Sequence, residues 1–383
     1  MAGRHVLAIQ DTSEINFHTR PTQRRGLGEI GKGSGGHGVL LHAMLAVDAA
    51  QGNCLGLVTG SIYTRHGRVD TPHAKRALKD KESRRWIDTA VQARPVLAEA
   101  AMVTEISDRE GDIYAAWVHT PGGQFHRLTR VMHDRALVGG GTLSSQVAQW
   151  PFVATRSIEL LATPTRAQRQ ARLSLRFGQV QVARPDSPDA KEQPPSVSLR
   201  LIEVIERDAP EGAEPVHWRL LTTHQVDDEQ TAWQIVQWYR LRWTIEQLFR
   251  LIKLQGLRLE DSQLREADRL IKLSAIAAQA ASVTLQLTQA REGKVHEPAS
   301  NAFDETQIQV LEELNDEVQG KTQLQKNPHA RRTLAWAAWI IAKLGGWDGY
   351  PSSKPAGPIT LRNGLEYFQA IVRGWALRDV CIP

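Results

Sequence analysis

Short apolar runs that end in carboxylates dominate the first third of this chain, and they limit it to folds built on a buried sheet. Residues 5–11 (HVLAIQD) and 38–48 (GVLLHAMLAVD) are such runs, and 54–65 (CLGLVTGSIYTR) is a further apolar run, with the turn AAQGN between the last two. Their length and bounding turn signals predict buried strands. Residues 81–100 predict a helix that bends or ends near Pro95. Residues 101–108 predict a fourth strand, again closing on an aspartate, followed by a short helix and a strand near 125–132. The texture then changes. Residues 171–183, 196–206 and 217–224 alternate apolar and polar side chains, as in an antiparallel sheet with one wet face. The segment PDSPDAKEQPPS reads as a loop between two of them. Beyond residue 227 the periodicity is helical, over 228–255, 262–291, 303–318, 331–344 and about 361–378.

The 383 residues allow two or three domains, and 41% hydrophobic content makes them globular. A net charge of +5 and a pI near 9.3 suit an anionic partner. Between residues 121 and 184 stand nine arginines (127, 130, 135, 156, 166, 169, 172, 176 and 184), no lysine, and only Asp134 and Glu159 as acids. Arginine is the better fork for phosphate, although an ordinary basic surface has the same composition. Cys54 and Cys381 form no CxxC pair, which fits a reducing compartment and excludes a thiolate metal cluster. No apolar run approaches the ~18 residues of a membrane span, and the N-terminus lacks a signal-peptide pattern. A cytoplasmic protein with no membrane partner is expected.

In WYRLRWTIEQLFRLIK (238–253), one helical wheel places Leu241, Ile245, Leu248 and Ile252 on a core stripe. Tyr239, Arg242, Trp243, Glu246, Arg250 and Lys253 then fall on the opposite side. A solvated face bridged by Glu246 would have this pattern. Aromatics among cations also suit a polyanion with stackable bases. Asp11 and Asp108 each end an apolar strand. Each could cap a following turn. Together with Glu246, they could instead hold two Mg²⁺ ions, which take oxygen ligands, and a pair of metals can clamp the attacking and leaving oxygens of a phosphodiester.

Tyr239, Arg242, Glu246 and Lys253 satisfy Y-x2-R-x3-E-x6-K, and QDTSE around Asp11, DKES at 80–83, SDREGDI around Asp108 and AKLGGW at 342–347 follow in order. The set resembles bacterial cut-and-paste DDE transposases of insertion-sequence family four, over nearly the whole chain. The resemblance implies an α/β, RNase H-like core with a β-rich insert and a C-terminal helical region. The implied boundaries are 1–135 and 228–262 for the core, 136–227 for the insert and 263–383 for helices that pair protomers. It implies Asp11, Asp108 and Glu246 as ligands of two Mg²⁺ or Mn²⁺ ions. Tyr239, Arg242 and Lys253 would contact phosphates, Trp218 would stack on a flipped base, and Trp243, with Arg250 on the same charged face, would add contacts. The implied partners are double-stranded DNA, as transposon ends and target, and a second protomer on DNA.

Family members begin with a helical end-recognition domain, whereas here strand one begins by about residue 5. The expectation is a truncated transposase, impaired or acting as an inhibitor by pairing with full-length enzyme. An RNase H-like two-metal nuclease without transposition and a non-catalytic pairing module remain alternatives. GLGEIGKGS (26–34) nearly matches a phosphate-binding loop, but Gly33 replaces the Ser or Thr that binds Mg²⁺ and a strand follows. A glycine-rich hairpin is the expectation there.

Overall fold

The computed structural model describes residues 1–17, 25–31, 36–65, 71–72, 75–160, 167–255, 257–350 and 352–377. Lys32, Gly33, Arg166 and Cys381, used above, lie outside them. The strands are β1 (His5–Asn16), β2 (Gly28–Ile30), β3 (Gly36–Asp48), β4 (Cys54–Tyr63), β5 (Met102–Ser107), β6 (Phe125–Arg130), β7 (Ala154–Leu160), β8 (Arg169–Ala183), β9 (Ser196–Glu206) and β10 (His217–Thr222). The helices are α1 (Arg85–Val96), α2 (Tyr114–Val118), α3 (Leu143–Ala148), α4 (Glu229–Leu241), α5 (Trp243–Lys253), α6 (Ala267–Ala290), α7 (Glu305–Val318), α8 (Leu334–Leu344) and α9 (Pro358–Leu377). Parallel and antiparallel strands with helices between them give the expected α/β class.

Two compact units divide the chain. The first comprises Met1–Asp11 and Arg68–Arg242, the second Thr12–Gly67 and Trp243–Pro383. In the first, strand order is β1-β5-β6-β10-β9-β8-β7. β1 pairs parallel with β5 from His5↔Met102 to Ile9↔Ile106, and β5 pairs parallel with β6 from Val103↔Phe125 to Ser107↔Thr129. The β5–β6 connection contains α2, since parallel neighbours need a crossover. β6, β10, β9, β8 and β7 then pair antiparallel in turn. The alternation read at 171–183, 196–206 and 217–224 is thus the pleat of β8, β9 and β10. Its apolar side, including Val180, Val182, Leu199, Leu201 and Leu221, packs on Tyr114 and Trp117 of α2 and Leu143 and Val147 of α3.

The arginine-rich stretch turns out to be largely internal framework. Arg127 pairs with Glu105, Arg135 with Asp112, Arg156 with Glu229, Arg169 with Glu206 and Arg176 with Glu203. The Arg127–Glu105 pair is 1% and 2% exposed. The acids lie outside residues 121–184, so a count within that window saw only the cations.

A polar cluster joins β1, β5 and β6 to α4. Thr104 Oγ1 lies 2.8 Å from Nε2 of both His5 and His224. One hydroxyl has one hydrogen and two lone pairs, so at least one ring donates to it and at most one accepts. His224 stacks on His126 with centroids 3.9 Å apart, and Trp238 packs against His5 and His224. Burial pushes the His224 pKa from 6.5 down to about 3, with the charges of His126 and His5 acting in the same direction.

In the second unit β3 pairs antiparallel with both β2 and β4. β2 and β3 form the hairpin expected around the glycine-rich segment. Residues 39–48 of β3 are buried without alternation, the mark of a strand covered on both faces. β1 does not end at Asp11 as read from the sequence. It runs on to Asn16, and Thr12 Oγ1 lies 2.8 Å from Nδ1 of the buried His42 on β3.

The helical core of this unit gathers Leu287, Leu311, Trp336, Ile340, Ile341, Leu361 and Phe368 from α6, α7, α8 and α9. An 18-residue window of α6 has mean hydropathy 1.3, so by length and composition this helix could cross a membrane. That corrects the expectation that no run approaches that length. More than half of the window, 56%, is buried within the protein, where α6 packs against β4, α5, α8 and α9.

Candidate active site

The register of three parallel strands assembles the site in the first unit. β1 and β5 hold one offset from His5↔Met102 to Ile9↔Ile106, and continued by two residues it sets Asp11 beside Asp108. Neighbouring strands run about 4.8 Å apart. The β5–β6 register, continued by one residue past Ser107↔Thr129, sets Asp108 beside Arg130. Asp11, Asp108 and Arg130 thus occupy equivalent positions just beyond the paired residues of β1, β5 and β6.

Asp108 follows the last residue of β5 and caps the 3-10 turn Arg109–Gly111, its Oδ1 accepting from Glu110 N at 2.8 Å. The capping role foreseen for a strand-end aspartate is real. It occupies one oxygen, and a carboxylate offers two, each with two lone pairs. Arg242 Nη1 donates to Asp11 Oδ2 at 3.2 Å, with both side chains 17% exposed.

Tyr239 and Arg242 do not lie on one continuous helix with Glu246. α4 ends at Leu241 and α5 begins at Trp243, with Arg242 in the turn. Arg242 itself keeps right-handed helical dihedrals, φ −51° and ψ −32°, so the interruption is a single residue. Tyr239 is buried, 5% exposed, rather than on a wet face. It packs edge-on against Trp218, with centroids 5.5 Å apart, and the Arg242 guanidinium lies 6.0 Å from its ring centroid. Burial raises the Tyr239 phenol pKa; the Arg242 and Arg130 guanidiniums pull it down, and the charge of Asp108 adds to the rise. The phenol is thus neutral at ordinary pH, able both to donate and to accept. Arg130 has its own pKa lowered by burial, opposed first by Tyr239, and its Nη2 donates to His217 O at 3.0 Å. It stays charged, as arginine does. The sequence reading counted Arg130 only as one of nine arginines in a basic stretch; the signal for a particular role was its place at the end of FHRLTR, the strand begun at Phe125.

The second unit carries the remaining candidates. Glu246 lies in the first turn of α5, half-buried, with Trp243 opening the helix. Ile245, Leu248 and Ile252 are fully buried, as the apolar stripe predicts, and Arg250 is exposed. Burial lowers the Lys253 amine pKa, opposed by the charges of Glu260 and Glu14. Glu260 also accepts from Asn16 N at 2.8 Å, which ties the end of β1 to the segment after α5.

Among the described residues no group of three or more His, Cys, Asp or Glu is placed to hold a metal ion. The donors that the first unit does set side by side, Asp11 and Asp108, are oxygen donors of the kind that suit hard cations such as Mg²⁺ rather than soft ones. In chemical terms, this unit offers two carboxylates, two guanidiniums and a neutral phenol around one spot, a set that can bind a cation and an anion together.

Residues 160–281 match a family model described as the transposase DDE domain. The match supports a DDE-type transposase; it covers β8 to β10, α4, α5 and part of α6, and includes Glu246, Tyr239 and Arg242. The chain is also similar to a solved structure described as a cryo-EM structure of the piggyBac transposase synaptic complex with hairpin DNA. Identity is 10% and the TM-score 0.40, over 97% of this chain and 57% of that one. The present chain thus spans little more than half the length of that transposase.

Proposed function

We propose that this chain is the catalytic region of a DDE transposase of insertion-sequence family four, cleaving DNA at transposon ends and joining them to target DNA. What supports the reading is the parallel β1–β5 register, which runs toward Asp11 and Asp108, with Arg242 bonded to Asp11 and with Arg242, Arg130 and Asp108 acting on Tyr239. The match to the transposase DDE domain adds support from residues outside that pair.

Asp11 and Asp108 would hold divalent cations, and the spacing of the signature makes Glu246 the third carboxylate. Bound Mg²⁺ or Mn²⁺ supplies Lewis-acid polarisation of the scissile phosphate and a lowered pKa for the attacking hydroxyl or water. The chain's own groups do the rest. Arg242 and Arg130 hold phosphate oxygens as forks, and Tyr239, neutral, donates its hydroxyl hydrogen to one. Lys253 and Arg250 add positive charge along the backbone. Trp218 and Trp243 offer aromatic faces to unstacked bases, offsetting the few kcal/mol of unstacking at a distorted end. A hairpin intermediate and a protomer pair on DNA are part of this reading.

The test uses the purified chain with DNA carrying candidate transposon ends. Mg²⁺-dependent nicking that disappears in Asp108→Ala, together with hairpin-ended products, is the expected result. Nicking without hairpins points to a plain nuclease. Activity that survives Asp108→Ala removes the proposed site.

A further inference from the structure

Asp112, four residues beyond Asp108, is fully buried at its side chain and belongs to no step of the chemistry above. Its Oδ2 accepts from the backbone N–H of Met132 at 2.9 Å and of His133 at 3.2 Å. Its Oδ1 accepts from Arg135 Nε at 2.8 Å, and Arg135 also donates to the Asp112 carbonyl oxygen. One carboxylate thus fastens the turn leaving β5 to the segment leaving β6.

The turn is gripped at its other end as well. Ser107 Oγ and Thr129 Oγ1 are 2.9 Å apart, linking the last residues of the paired strands. A Cβ on Gly111 would come within 2.2 Å of Ser107 Oγ, so the turn lies directly on the strand end. Asp108 sits between these two anchors and is itself the cap of the turn. The aim of its carboxylate follows from the path of residues 109–112, and that path is set by what Asp112 holds. Apolar packing could fill the same space. Three directional hydrogen bonds to one buried carboxylate also fix its angle.

We infer that Asp112 and Arg135 form a buried clasp that positions the Asp108 carboxylate for its divalent cation. The pair acts through Asp108 and touches neither metal nor DNA, and the inference rests on the transposase reading only for the purpose of the cation. Partners that orient a ligand in this way change metal affinity by about 10- to 100-fold when removed.

The experiment is Mn²⁺ titration of the full chain without DNA, followed by electron paramagnetic resonance. It compares the wild type, Asp108→Ala, Asp112→Asn and Arg135→Lys, with far-UV circular dichroism to show that each is folded. Arg135→Lys keeps the charge but not the fork, and it carries the test if Asp112→Asn does not fold. The expected result is a half-saturating Mn²⁺ concentration raised about tenfold in both clasp variants. The Mg²⁺ requirement for nicking should rise by the same factor, with the rate regained at saturating metal. Folded clasp variants with wild-type Mn²⁺ curves overturn the inference, as does a wild type whose Mn²⁺ binding does not depend on Asp108. A wild type that binds Mn²⁺ through Asp108 but never nicks DNA overturns the transposase reading instead, and leaves the clasp to be judged by the titration alone.

Discussion

Acid should loosen the first unit through His224. Its ring is 7% exposed, bonded to Thr104 and stacked on His126, and its pKa falls from 6.5 to about 3 on folding. Desolvation is the largest cause, since burial penalises the imidazolium. The folded pKa lies below the unfolded one, so between pH 6.5 and 3 the unfolded chain binds a proton that the folded chain refuses. Stability therefore falls as pH falls through that window and is unaffected well above 6.5. At about 1.4 kcal/mol per pH unit, moving from pH 7 to pH 5 removes roughly 2 kcal/mol through this residue. Urea unfolding followed by tryptophan fluorescence at the two pH values measures the loss. His224→Gln keeps a group that can bond Thr104 but cannot titrate, so the variant should lose about 2 kcal/mol less than the wild type over the same interval. Equal pH dependence in the two proteins would show that His224 is protonated in the folded state, and the argument from its burial would fail.

Three further outcomes follow from particular contacts. Glu105→Gln strands the buried Arg127 charge and should lower stability by about 3–5 kcal/mol in chemical denaturation, far more than Glu229→Gln at the exposed Arg156 pair. Gly111→Ala drives a methyl group onto Ser107 and should lower the melting temperature by the equivalent of about 1–3 kcal/mol. Trp218→Ala should leave single-strand nicking in place while reducing hairpin products on gels; an unchanged hairpin yield removes the base-stacking role.

Much of the site could be read along the chain because its parts end local elements. The apolar run 5–11 and the apolar run 101–108 each announce a strand and place an aspartate at a definable level, and the pleat of β8, β9 and β10 is written in their alternation. The break at Arg242 could not be read. Arginine is a good helix former, nothing in the sequence there is a Gly or Pro, and the turn is legible only once Arg242 reaches Asp11, 231 positions earlier. The particular roles of Arg130, Asp112 and Arg135 could not be read for a related reason, since each depends on a partner that only folding brings near.

Local periodicity is fixed by side chains a few residues apart, so the sequence alone determined most of the strands and helices, including the runs that carry Asp11 and Asp108. The register that brings β1 to β5, the burial of Tyr239 and the internal use of the arginines depend on segments that lie apart along the chain. Only the folded sheet decided them, because hydrogen-bond register and desolvation exist only after distant segments have been brought together.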